Sequence, residues 1–160
     1  MIGRTNAGGG GGNAKITSID FTLTDGAECT YGTISADSIG FTPKFIIFRS
    51  GPSVGYYGTH ILTLDINTKK MYGYSTTKTN VVFPDGTARF FATASYNGSV
   101  LPRDGTDVTP TYTTYGGVQY ATIQQQDSLW IHSDGSIRFW TYDQYDEGNG
   151  KYFLGCIFIG

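Results

Sequence analysis

Apolar and polar residues alternate with a period of two along most of this chain, in runs of about five to nine residues that end in Gly, Pro, Asn or Asp. Such runs predict half-buried β-strands. In "KITSIDFTL" (15–23), Ile16, Ser18 and Asp20 oppose Thr17, Ile19 and Phe21, and Asp25-Gly26 supplies the turn to "CTYGTIS" (29–35). "KFIIFRS" (44–50) holds four consecutive apolar residues, Phe45 to Phe48, which predicts a central strand covered on both faces. "THILTLDI" (59–66) and "KKMYGYS" (69–75) flank Asn67-Thr68 at hairpin spacing. Further strands are predicted at "TNVVF" (79–83), "ARFFATASY" (88–96), "GVQYATIQQ" (117–125), "SLWIHS" (128–133), "SIRFWTYD" (136–143) and "KYFLGCIFIG" (151–160). In "SIRFWTYD", Ile137, Phe139 and Thr141 oppose Arg138, Trp140 and Tyr142. About ten short strands with regular turn signals predict an all-β fold, an antiparallel β-sandwich of jelly-roll type. The sandwich is expected to occupy residues 15–160 as one domain, after a Gly-rich arm at 1–14. The polar stretch 97–116 predicts a long contact loop.

Composition changes this picture in one respect. Charged residues make up 15% of the 160, below the roughly 25% of ordinary soluble domains, while aromatics also reach 15%, with 12 Tyr. The surface is therefore polar through Tyr, Thr, Ser, Asn and Gly rather than through ions. A formal net charge of -2 offers no footprint for a phosphate backbone, so nucleic acid is not an expected partner. No run has the length or apolarity of a secretory leader or a membrane span, and the expectation is a protein made in the cytoplasm with no membrane partner. Two cysteines do not make a disulfide framework; Cys156, in an apolar run, reads as a packed core thiol and Cys29 as a strand residue.

Most catalytic signatures fail on spacing. The glycines Gly8, Gly9, Gly10, Gly11 and Gly12 are followed by Asn13, Ala14, Lys15 and Ile16, which breaks the phosphate-loop pattern, and a strand rather than a helix comes next. A glycine run loses much backbone entropy on ordering and stays loose unless a partner holds it, so these residues read as an assembly arm. His60 and His132 stand in strands away from other ligands, and no serine-nucleophile elbow is present. Asp143, Asp146 and Glu147 form an acidic turn, with a weak cation site as its only metal reading. No cofactor and no catalytic residue is expected. The binding candidates are aromatic: Tyr56 and Tyr57 in "GPSVGYYG", Tyr112 and Tyr115 in the polar stretch, and Trp140 with Tyr142 on one face of a strand. Flat amphipathic rings stack on sugar faces at small entropic cost.

Three stretches in their joint order carry a family resemblance: "GFTPKFIIF" (40–48), "YFLGCIFIG" (152–160) and the opening "IGRTNAGGGGG" (2–12). The chain resembles the small β-sandwich domains of tail-fibre and receptor-binding proteins from tailed phages and prophages of Gram-positive bacteria. Leu154 and Cys156 depart from the Trp and Ala usual there. The resemblance implies a virion structural module in tail fibre, baseplate or capsid decoration. It also implies a homo-oligomer, in particular a trimer, with other virion proteins meeting residues 1–14 and a host cell-surface glycan facing the Tyr-bearing loops. A free-standing lectin-like module is the alternative expectation, and a glycoside-cleaving enzyme a remote one.

Overall fold

The computed structural model describes residues 13–22, 24–25, 29–49, 61–73, 79–91, 103–142 and 155–160. In these, strands β1 (Ile16–Asp20), β2 (Thr24–Asp25) and β3 (Cys29–Ile34) lead through one helical turn, α1 (Ala36–Ile39), to β4 (Phe45–Arg49). They continue with β5 (Ile61–Asp65), β6 (Lys70–Gly73), β7 (Thr79–Val82), β8 (Ala88–Phe91), β9 (Thr106–Val108), β10 (Tyr112–Tyr115) and β11 (Val118–Ala121). A 3₁₀ turn at Ile123–Gln125 precedes β12 (Asp127–Ile131), β13 (Ile137–Tyr142) and β14 (Gly155–Ile159). One sheet has the order β1-β14-β4-β5-β6, the second β2-β3-β13-β12-β7-β8-β9, and β10-β11 form a separate hairpin. The fold is the expected β-sandwich. One pairing departs from the antiparallel expectation, because β7 runs parallel to β12 and sets Asn80 beside Ser128 and Val82 beside Trp130.

Among the described residues, fourteen strands exceed the expected ten or so because β10 buries none of its four residues and β2 and β9, with two and three, are too short for a period to show. Helix α1 escapes the pattern for the same reason. Ser35 caps its start by accepting from the Ser38 N–H at 3.2 Å, and Gly40, at φ 77°, closes it with an N–H bond to the Ala36 carbonyl. Asn67-Thr68 lies inside a four-residue turn, since Asp65 pairs with Lys70; Asp65 Oδ1 accepts from the N–H groups of Asn67 and Thr68.

Strand alternation places the core between the sheets. Ile46, Phe48, Leu64, Met71, Cys156 and Phe158 from the first sheet meet Ile34, Val81, Leu129, Ile131, Ile137 and Phe139 from the second, all buried. The opposed sets in β13 separate as their spacing predicts: Ile137 and Phe139 join this layer, while Trp140 belongs to a cluster on the sheet's other face. Cys156 is a buried free thiol whose pKa burial pushes up, which makes it inert, and Cys29 is buried and free in the other cluster.

Strand β4 corrects one expectation. It is central in its sheet, and Ile46 and Phe48 are buried, but Phe45 and Ile47 on the outer face are only half-buried. On that face Ile157, which pairs with Ile47, is 38% exposed, and Ile16, one strand further out, is 65% exposed. The sheet covered on both faces is the second one, where the hairpin lies against Val82, Ala88, Tyr31 and Trp140.

Lys69, Lys70, Asp85, Arg89, Arg103, Asp104 and Asp107 gather where β6 of the first sheet meets β8 and β9 of the second. Met71 and Arg103 exchange backbone bonds of 3.0 and 2.8 Å, tying β6 to the segment before β9. Arg89 donates to the carbonyls of Lys69 and Asp104 at 3.1 and 3.0 Å, and the Lys69 ammonium donates to Asp85 and to Thr87 Oγ1. The hydrogen bond from Lys69, then those from Thr87, lower the Asp85 pKa to about 2. A carboxyl whose folded value lies below its ordinary 3.8 adds stability above that value and loses it as pH falls toward 2. Asp85 is 53% exposed, so screening keeps this contribution small. On the second sheet, burial and then Arg138 lower the His132 pKa from 6.5, against an opposing pull from Asp134. His132 therefore stabilises the fold above pH 6.5, and that contribution is lost as pH falls through its depressed folded value. Melting temperature should decline on acidification below about pH 6.5. His132→Gln should flatten the decline below about pH 6.5, whereas Lys69→Met should change the decline below about pH 4 only slightly.

Candidate functional site

The stretch 97–116, expected to be a loop, ends in a strand. Gly116 and Gly117, at φ 56° and 80°, make the two-residue turn with both φ values positive that joins Tyr115 to its partner Val118. Gly-Gly between "YTTY" and "VQYA" is the signal that identifies this hairpin in the sequence. Both faces of the hairpin touch the second sheet, so it stands on edge there, with β11 against β12 and β13. Three bonds hold it: Arg138 Nη1 donates to the Gln119 carbonyl at 2.8 Å, Tyr120 Oη pairs with Thr33 Oγ1 at 3.2 Å, and Asn80 Nδ2 donates to the Ile123 carbonyl at 2.9 Å.

The two sides of the hairpin differ. On one, Tyr112 lies with its ring 4.7 Å from that of Trp130, which stacks on His132 at 4.1 Å and carries the Arg138 guanidinium 5.3 Å above it. On the other, Tyr115 stacks on Tyr31 at 5.1 Å and Trp140 stacks on Tyr142 at 5.8 Å. Between these pairs runs an open groove of about 350 Å³, lined by Cys29, Thr113, Tyr115, Thr122, Gln125, Trp140 and Tyr142. Thr113 and Thr122 pair their hydroxyls at 3.2 Å. Gln124 and Gln125 both hold positive φ, 53° and 50°, at the groove's rim. Non-glycine residues in that region cost about 1 kcal/mol each and persist where neighbours fix them.

Of the aromatic candidates, Tyr115, Trp140 and Tyr142 come together in this groove and Tyr112 is turned to the opposite side. Trp140 is 3% exposed, so it forms the groove's base rather than an open platform, and its indole N–H is buried without a partner. Tyr56, Tyr57, Asp143, Asp146, Glu147 and the glycines Gly8 to Gly12 lie outside the described residues. Comparisons with protein-family models, curated proteins and solved structures return no match. Among the described residues no group of three or more His, Cys, Asp or Glu could hold a metal ion, and no helix is long and apolar enough to cross a membrane. Thr113, Thr122, Gln125 and Cys29 carried no sequence signal, since neither period nor motif relates residues on β3, β10 and the 3₁₀ turn.

Asn80 tests how the groove's rim is held. It is fully buried on the parallel strand β7, and its Oδ1 has no partner although its amide holds the Ile123 carbonyl. Because half of the side chain is already an uncompensated buried group, Asn80→Ala should cost about 1 kcal/mol, at the lower end of the 1–3 expected for orphaning a buried partner. Hydrogen exchange should quicken first at the Gln126 amide, which closes the turn on the Ile123 carbonyl at 3.2 Å.

Proposed function

We propose that this chain is a non-enzymatic binding module whose hairpin groove receives a sugar ring of a surface glycan. The observation that carries the reading is the convergence of Tyr115, Trp140 and Tyr142, from β10 and β13, with two threonine hydroxyls and the Gln125 amide around one groove. Its volume of about 350 Å³ falls at the small end of the roughly 300–1,000 Å³ of ligand sites, enough for one or two rings. Aromatic faces flanked by neutral hydrogen-bonding groups suit a sugar, which presents C–H surfaces on its faces and hydroxyls at its edge.

In this reading the module belongs to a phage or prophage particle, as tail fibre, baseplate or capsid decoration, attached through residues 1–14. The resemblance at 40–48 and 152–160 supports that setting. So does the outer face of the first sheet, where Ile16 and Ile157 are exposed beside half-buried Phe45 and Ile47, an apolar strip suited to contact between protomers in a trimer. The free-standing lectin-like alternative uses the same groove without that contact. Titrating the full chain with an oligosaccharide library tests the binding claim: saturable binding with the glycan recovered intact supports it, and a cleaved product or no binding contradicts it. Light scattering separates the settings, since a strict monomer at high concentration contradicts the particle module.

A further inference from the structure

We infer that the groove selects an uncharged sugar residue and discriminates against glycans whose terminal residue carries a carboxylate or phosphate. This rests on the glycan-binding reading and adds the substrate class. No charged side chain is among the described residues of the lining. Anions are recognised by arginine forks or by arrays of backbone N–H groups that supply charge-assisted bonds. Among the described residues, the guanidinium that touches the hairpin is that of Arg138, which faces Trp130 and donates to the Gln119 carbonyl, away from the groove. The lining offers instead a hydroxyl pair, Thr113 with Thr122, and the exposed amide Gln125, groups that both donate and accept and so match sugar hydroxyls.

The rings complete the match. Tyr115 and Tyr142 both line the groove and are half-buried, so they bring aromatic surface to it for the C–H face of a pyranose. A carboxylate entering the same space would lose water and, among the described residues of the lining, meet only neutral partners, an unfavourable exchange for a charged group. The net charge of -2 also opposes its approach.

The test titrates the full chain, by calorimetry, with neutral oligosaccharides ending in galactose, glucose or N-acetylglucosamine and with the same oligosaccharides capped by sialic or glucuronic acid. The best neutral probe should bind with an affinity that changes less than about twofold between about 0.05 and 0.5 M salt. Its acid-capped form should bind at least about tenfold more weakly. Gln125→Lys, at an exposed position, should narrow that gap by placing a cation in the groove. Acid-capped probes that bind as tightly as neutral ones overturn the selectivity while leaving the groove reading intact, provided Tyr115→Ala abolishes that binding. Failure of every probe, or binding indifferent to Tyr115→Ala, overturns the groove reading and the selectivity with it.

Discussion

Phe139→Ala is expected to lower stability by about 3–5 kcal/mol, the cost of a large buried ring lost together with the cavity it leaves. Phe139 sits near the centre of β13, whose neighbours β3 and β12 pair with it along both edges. Its ring is 1% exposed and lies 4.1 Å from that of Phe21, which closes the core from the segment after β1. Both layers above and below the strand are filled, by the first sheet on one side and the hairpin cluster on the other, so the site has little freedom to collapse. Chemical denaturation should report the loss as a lower midpoint with an unchanged slope. Phe139→Leu, which keeps more of the volume, should lose less and provides a folded reference if the alanine variant is too unstable to purify.

Tyr115→Ala and Tyr142→Ala should each weaken glycan binding by about tenfold or more, and together should abolish it. Both rings are half-buried at the groove, so their removal costs less stability than Phe139 does and the effect on binding should dominate. Tyr112→Ala is the internal control. It removes a ring of the same kind from the same strand, but on the side that faces Trp130, and it should leave affinity within about twofold. A Tyr112 effect as large as that of Tyr115 would move the ligand to the wrong side of the hairpin.

Much of the sandwich was legible because one face of each longer strand is buried and the period of two then records it, most clearly in "SIRFWTYD". Three features were not legible, each for a physical reason. Strand β10 exposes Tyr112, Thr113 and Thr114, so no apolar set marks it as a strand and only the Gly-Gly turn betrays it. Strand β7 reads as a strand, but the burial of all four of its residues does not, because Thr79 and Asn80 are polar and buried polar positions cannot be recognised from polarity. The four apolar residues of β4 suggested cover on both faces, whereas one face keeps its exposure.

At the site, shared strand parity brought Trp140 and Tyr142 together in the sequence itself. Their meeting with Tyr115 depends on how the hairpin stands on the sheet, which Arg138, Tyr120 and Asn80 fix through contacts 19 to 87 residues apart in the chain. No local pattern encodes such contacts. The groove is a product of topology, and the rings alone do not announce it.

In the proposed binding mode a ligand enters on the Trp140 side of the hairpin. The chain holds two tryptophans, Trp130 and Trp140, one on each side, so their indole N–H resonances report the two surfaces separately in a single NMR titration with a neutral oligosaccharide. Entry on that side should give a saturable shift of the Trp140 resonance with that of Trp130 unmoved. A Trp140 signal that stays in place while the sugar binds, or a shift confined to Trp130, would contradict it.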